Sequence, residues 1–343
     1  MTNWENKTTL LGMDLDELSQ LCKLQGCDNH SAILLSYGIY KQRVKTPFEI
    51  ERIKLKDRCS IDGVAEVGLF PPVKESISAD GTKKYLFEYP GERLIETAFI
   101  PDNKRSTLCI SSQSGCRMGC RFCNTASVGF KSNLTAHEII NQYSAIPESR
   151  LVTHIVIMGM GEPCDNIDEV IKAINVFVSD WGYALGRRNI TVSTVGILPE
   201  LSRLINETKC NIAISLHSPF PEERAKLMPV ENRSSILDVI AYLKQVGFEK
   251  NRRLSFEYIV LKGVNDSDKH VEAIAQLLDG LKCHVNLIPW NSFPESPFVT
   301  SDPASMMHFR NRLDNRGIMT TIRKSRGADI EAACGLLAAK SSS

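Results

Sequence analysis

From about residue 105 onward the apolar positions fall into short alternating or β-branched runs, at 107–111, 153–159, 189–194, 211–216, 254–261 and 284–288. The stretches between them carry helical spacing. Six strands separated by crossover helices predict a parallel sheet. Right-handed crossovers roll such a sheet into a partial barrel or wind it doubly, and periodicity alone does not choose. In both cases chemistry gathers on the loops after the C-terminal ends of the strands. Upstream, residues 15–55 read as short helices, with Asp14 as an N-cap and Leu15, Leu18 and Leu21 on one face. Residues 59–99 alternate, and a turn at Ala79-Asp80-Gly81 predicts an antiparallel hairpin. The expected organisation is a helical region 1–58, a hairpin and linker 59–104, an α/β body 105–325 and a C-terminal segment 326–343.

Composition narrows the class. At 343 residues, 43% hydrophobic and 24% charged, the chain suits a globular protein with a sizeable core. Its apolar runs are only strand-length and its N-terminus lacks a signal-peptide pattern, so a cytoplasmic protein without membrane segments is expected. Lys and Arg total 41 against 40 Asp and Glu, so overall charge neither demands nor excludes a nucleic acid. Local basic clusters at Gly186-Arg187-Arg188, Lys250-Asn251-Arg252-Arg253 and Arg323-Lys324-Ser325-Arg326 are the candidate RNA contacts.

Eleven cysteines in a reducing compartment point to thiols, metal ligands or redox groups rather than to a disulfide framework. Three of them, Cys116, Cys120 and Cys123, lie within eight residues just after the first strand of the predicted parallel sheet. Structural zinc closes its shell with four protein ligands, whereas a [4Fe-4S] cubane held by three cysteines leaves one iron open. A zinc knuckle completed by a distant cysteine is one competing reading, and a non-catalytic electron carrier or zinc-dependent RNA-binding module is another. It calls for a fourth cysteine nearby, yet the next one is Cys164. Met158-Gly159-Met160-Gly161-Glu162-Pro163 ends the second strand with flexible glycines and a carboxylate able to accept from an ammonium group. Ser193, Ser215-Leu216-His217 and Asn291 end the third, fourth and sixth strands, so polar groups recur around one rim.

The spacing of the three cysteines, with Phe122 before the last, resembles that of radical S-adenosylmethionine (SAM) enzymes. Five further stretches extend the resemblance to the RNA methyltransferases of the RlmN/Cfr family: 108–113, 158–163, 215–217, 285–291 and Ala332-Ala333-Cys334-Gly335. The likeness runs from about Tyr37 to Leu337. It implies a partial (βα)6 radical-SAM barrel with a helical domain and a hairpin extension. It also implies a [4Fe-4S] cluster on Cys116, Cys120 and Cys123, and SAM held by Gly161, Glu162, Ser193, Ser215, Leu216, His217 and Asn291.

By the same resemblance Cys334 is methylated by a first SAM. A radical made from a second then activates that methyl for addition to the adenine ring. Glu96 removes the ring proton, and Cys109 resolves the adduct by forming a disulfide with Cys334. The implied product carries a methyl on carbon 2 of adenosine in 23S rRNA and tRNA. The alternative is Cfr-type methylation of carbon 8 in 23S rRNA, which confers antibiotic resistance. His217-Ser218-Pro219 and residues 222–229 resemble both branches, while Pro163 and Pro289 resemble the carbon-2 branch. A flavodoxin- or ferredoxin-like reductant and a monomeric chain are further expectations. Most of Cys22, Cys27, Cys59, Cys164, Cys210 and Cys283 are expected to be structural thiols.

Overall fold

The computed structural model describes residues 7–248, 252–294 and 296–338. Lys250 and Asn251 of the second basic cluster lie outside the described residues.

Ten strands form one sheet: β1 (Lys74–Ile77), β2 (Lys83–Tyr89), β3 (Arg93–Ile100), β4 (Thr107–Ile110), β5 (His154–Ile157), β6 (Ile190–Thr194), β7 (Asn211–Ser215), β8 (Leu254–Val260), β9 (His284–Pro289) and β10 (Met319–Ile322). Their order across the sheet is their order in the chain. The strands β4 to β10 are parallel neighbours, and β1 to β4 pair antiparallel. A strand order that never reverses sets this apart from a doubly wound sheet, whose halves run in opposite directions from a switch point. Together with right-handed crossovers, it is the order of a partial barrel.

Six connections join the seven parallel strands, and each carries a helix: α4 (Ala136–Ser144), α5 (Ile167–Val178), α6 (Leu198–Thr208), α7 (Ile236–Val246), α8 (Asp268–Leu278) and α9 (Pro303–Asn315). The six predicted parallel strands are all present. A seventh, β10, was not foreseen because Met-Thr-Thr-Ile is too short and polar to give a strand signal. A third antiparallel strand, β3, extends the expected hairpin and splices it into the main sheet, with Ala98 opposite Cys109.

Alternation along the parallel strands separates two faces. Leu108, Ile110, Ile155, Ile157, Ile190, Val192, Val285 and Leu287 are all at most 1% exposed and belong to the hydrophobic core. The other face carries Cys109, Met158, Thr191, Ser255, Asn286, Thr321 and Arg323 around an interior cavity. It is polar because it faces that space rather than the core.

Before the sheet come α1 (Leu15–Leu24), α2 (Ser31–Tyr37) and α3 (Leu55–Val64). Asp14 caps α1 as expected, in a reciprocal capping box with Glu17. Leu18 of the expected apolar face is fully buried. The boundary expected at residue 58 falls within α3. This helical region is packed against the barrel's outer layer. Tyr40 is buried edge-on to Trp181 and Tyr183, and Arg43 donates to Tyr143 and Ser149. Among the described residues no helix is long and apolar enough to cross a membrane.

Candidate active site

The three clustered cysteines sit on the loop that follows β4. Gly115 adopts φ +76°, and a Cβ there would lie 1.7 Å from the carbonyl oxygen of Gly129, so only glycine fits. The loop is tied down by backbone bonds from Cys116 to Gly129 and from Arg121 to Leu227. The C-terminal segment docks on it: Asn124 donates to the carbonyls of Gly335 and Leu336, and Thr125 to that of Leu337 at 2.6 Å. The indole of Trp290 donates to Phe122 at 3.2 Å, and Asn291 donates to the carbonyl of Cys334 at 3.1 Å.

Burial, with Glu162 and Cys123 nearby, pushes the Cys116 thiol up to about 12, and burial raises Cys120 well above the ordinary range. Burial and mutual repulsion between thiolates disfavour ionisation of Cys116 and Cys120, and Cys123 lies close enough to both to add to that repulsion. A cationic group bonded to all three would offset that repulsion. Among the described residues no three His, Cys, Asp or Glu side chains converge as a single metal ion requires. A cubane instead offers separate irons to separate thiols, so this donor set fits a [4Fe-4S] cluster with one iron left open.

The glycine-rich stretch after β5 packs closely on the chain itself. Gly161 has φ +101°, and a Cβ there would meet Gln113 Cβ at 2.5 Å, so its close approach is to the chain's own loop. Glu162 is 3% exposed. Its Oε1 accepts from Cys164 N and Thr194 Oγ1, and its Oε2 from Val195 N. Burial raises its pKa to about 7 despite these bonds. By lone-pair count Oε2 keeps one acceptor position.

On the fourth parallel strand's loop, His217 has φ +56° and packs edge-on to Phe122, with ring centroids 4.6 Å apart. Its Nδ1 accepts from the amide of Ile259 at 3.0 Å. Burial, reinforced by Arg224, lowers its pKa to about 3, so it is a neutral imidazole. Leu216 is fully buried, and Ser193 and Ser215 are half-buried on the inward-facing side of their strands.

A cavity of about 420 Å³ opens inside the barrel. Cys109, Cys123, Met158, Asn291, Arg323 and Cys334 line it together. Both Cys109 and Cys334 are free thiols. Burial, then Cys334, push Cys109 up to about 12, while Arg323 draws it down. Desolvation also raises Cys334, which is nevertheless open to the cavity, and Arg323 opposes this too. The Arg323 guanidinium is set by Glu257 at 3.2 Å.

Glu96 lies on β3, 7% exposed. It pairs with Lys84 at 2.9 Å, and its other oxygen accepts from the amide of Ala338. The cavity lining therefore joins Cys109, Cys123, Asn291 and Cys334, but not Gly161, Glu162, Ser193, Ser215, Leu216, His217 or Glu96.

Two arginines escaped sequence reasoning. Arg224 is fully buried and donates to the carbonyls of Val195, Ser215 and Leu216 while pairing with Glu231, so it knits together the connections that follow β6 and β7. Nothing in Glu222-Glu223-Arg224 marks one charge as internal. Arg323 stood only as one member of a basic cluster.

A sequentially ordered partial barrel with a three-thiol loop after its first parallel strand defines a radical SAM enzyme. Residues 110–278 match the Radical SAM superfamily. The crystal structure of a radical SAM methyltransferase from Sphaerobacter thermophilus superposes with a TM-score of 0.91 at 36% identity, covering 97% of this chain and all of that one. A relative from Phocaeicola vulgatus is 46% identical over 331 residues, 96% of this chain and 95% of its own, and is named "Probable dual-specificity RNA methyltransferase RlmN". One from Dichelobacter nodosus, "Dual-specificity RNA methyltransferase RlmN", is 40% identical over 87% of this chain and 85% of its own. The chain belongs to the radical SAM superfamily and, within it, to the RlmN family. The superfamily's cofactors are a [4Fe-4S] cluster and SAM.

Proposed function

We propose that this protein methylates carbon 2 of adenosine in 23S rRNA and in tRNA, by way of a methyl group carried on Cys334. The observation that carries the reading is that two thiols from distant parts of the chain, Cys109 and Cys334, line one cavity with Cys123 of the three-cysteine loop. The relatives' naming as dual-specificity RNA methyltransferases supports it.

Cys116, Cys120 and Cys123 hold the cluster, and Gly161, Glu162, Ser193, Ser215, Leu216, His217 and Asn291 hold SAM. When bound, these groups supply the methyl group and a 5′-deoxyadenosyl radical, which an electron-poor aromatic carbon requires. Cys334 carries the methyl to the adenine ring, its loop steadied by the bond from Asn291. Glu96 accepts the ring proton. The thiolate of Cys109 attacks the sulfur of Cys334, so that an S–S bond forms as the bond from Cys334 sulfur to the transferred carbon breaks; that carbon keeps the electron pair and takes up a proton to become the product's methyl group. Arg323, beside both thiols, favours the thiolate that this step needs. A thiol reductant then restores the pair. Two SAM molecules are used per turnover, a flavodoxin- or ferredoxin-type protein supplies the electron, and the enzyme works as a cytoplasmic monomer.

The test is anaerobic turnover of the reconstituted protein with an rRNA fragment and with tRNA, followed by nucleoside mass spectrometry. The reading expects 2-methyladenosine in both RNAs. Appearance of 8-methyladenosine alone contradicts the regiochemistry. Release of 5′-deoxyadenosine with neither product contradicts the substrate.

A further inference from the structure

Two of the three basic clusters converge on the cavity. Arg105, just before β4, Arg253, just before β8, and Arg323, Lys324 and Arg326, just after β10, all line it. The third does not: Arg187 is turned to the carbonyl of Thr208, outside the cavity lining. A chain with a net charge of only +1 has thus gathered five cations at one opening.

Their pairing is incomplete. Arg323 is held by Glu257 and Arg326 by Asp80. Among the described residues, Arg105, Arg253 and Lys324 have no carboxylate oxygen within 4 Å, although Asp102 lies in the electrostatic neighbourhood of Arg105. Partial burial, then Arg253 and Arg323, disfavour the charge on Arg105, so three like charges sit within reach of one another on the cavity rim. All three unpaired cations are exposed. Exposed arginines driven only by solvation would separate. A shared polyanion is what makes such an arrangement favourable.

We infer that Arg105, Arg253 and Lys324 form a phosphate-binding collar, which grips the RNA backbone on either side of the target adenosine while its base enters the cavity. The inference rests on the RNA-methyltransferase reading above. It adds the path of the substrate: a base turned out of its stack leaves its flanking phosphates outside, where three cations meet them. The base then points inward, toward Cys109 and Cys334, which line the same space.

The experiment measures binding of the rRNA fragment used for turnover as a function of salt, with methylation followed in parallel. For single strands the slope of log K against log salt is about 0.7 per phosphate contact. The triple variant Arg105→Ala, Arg253→Ala, Lys324→Ala is expected to weaken binding by about tenfold or more and to flatten the slope by about 2. The charge-keeping pair Arg105→Lys, Arg253→Lys should restore most of the slope. Replacing Arg187 and Arg188 by Ala should leave it unchanged. An unaltered slope in the triple variant, with wild-type protein still methylating the RNA, overturns the collar and leaves the function standing. A wild-type protein that neither binds nor methylates the RNA overturns both.

Discussion

The two faces of the parallel strands are made by the same residues' neighbours, one position apart, yet they are under opposite demands. Ile155 and Ile157 of β5 point outward into the helical layer and are essentially unexposed. Val156 and Met158, between and after them, point inward and line the cavity with Cys109 and Thr191. The outward face holds the fold through apolar burial, at roughly 25 cal/mol per Å². The inward face is left partly unpacked and polar so that a substrate can occupy it. Stability and function are therefore separable by alternation along a single strand.

The sharpest break in that comparison comes from Cys334→Ala. RNA methylation should fall by about three orders of magnitude or more, equivalent to about 4 kcal/mol in a barrier, while the melting temperature barely moves because the thiol lines a cavity. Nucleoside mass spectrometry and a thermal melt check the two halves. The mirror case is Ile157→Ala, expected to cost about 2–5 kcal/mol in urea unfolding with little change in activity per folded molecule. If that variant kept its stability, the outward face would not be the structural one. Thr191→Ala, on the inward face, should change stability by only about 0.5 kcal/mol.

Acid response sharpens the comparison further. His217 stays neutral in the folded protein to about pH 3, whereas an unfolded histidine protonates near 6.5. Its contribution is fully present at pH 7 and is lost as pH falls below 6.5, by at most about 1.4 kcal/mol per pH unit. Glu162, raised to about 7, works in the opposite sense: its contribution is present below about 4.5 and is lost as pH rises toward 7. Denaturant titrations at several pH values should therefore show a shallower acid limb for His217→Gln than for the parent, Glu162 being common to both.

Much of the fold was legible because alternation in β4 to β9 is set by the outward face, and the inward positions Cys109, Val156, Thr191 and Asn286 each fall between two apolar ones. The strand β10 was not, since it closes the sheet at an edge with little burial: Met319 is 59% exposed. The splice of β3 into the main sheet was not legible, because pairing across Ala98 and Cys109 depends on register that local pattern does not carry. At the site, three cysteines in one loop are a local signal and were readable. The meeting of Cys109 with Cys334 is a tertiary fact, and only family resemblance linked them. Arg224 was missed because its burial depends on three carbonyls from two separate strand ends converging on it, which no window of sequence contains.

The pairing of the two cavity thiols is the centre of the account, and Cys109→Ala tests it most directly. Incubated anaerobically with cluster, reductant, SAM and RNA, this variant should form the bond from Cys334 to the base and then stall, for want of a thiolate to break it. Denaturing electrophoresis followed by peptide mapping should find RNA covalently attached at Cys334. Release of methylated RNA at the parent's rate, with no attached species, would contradict the account.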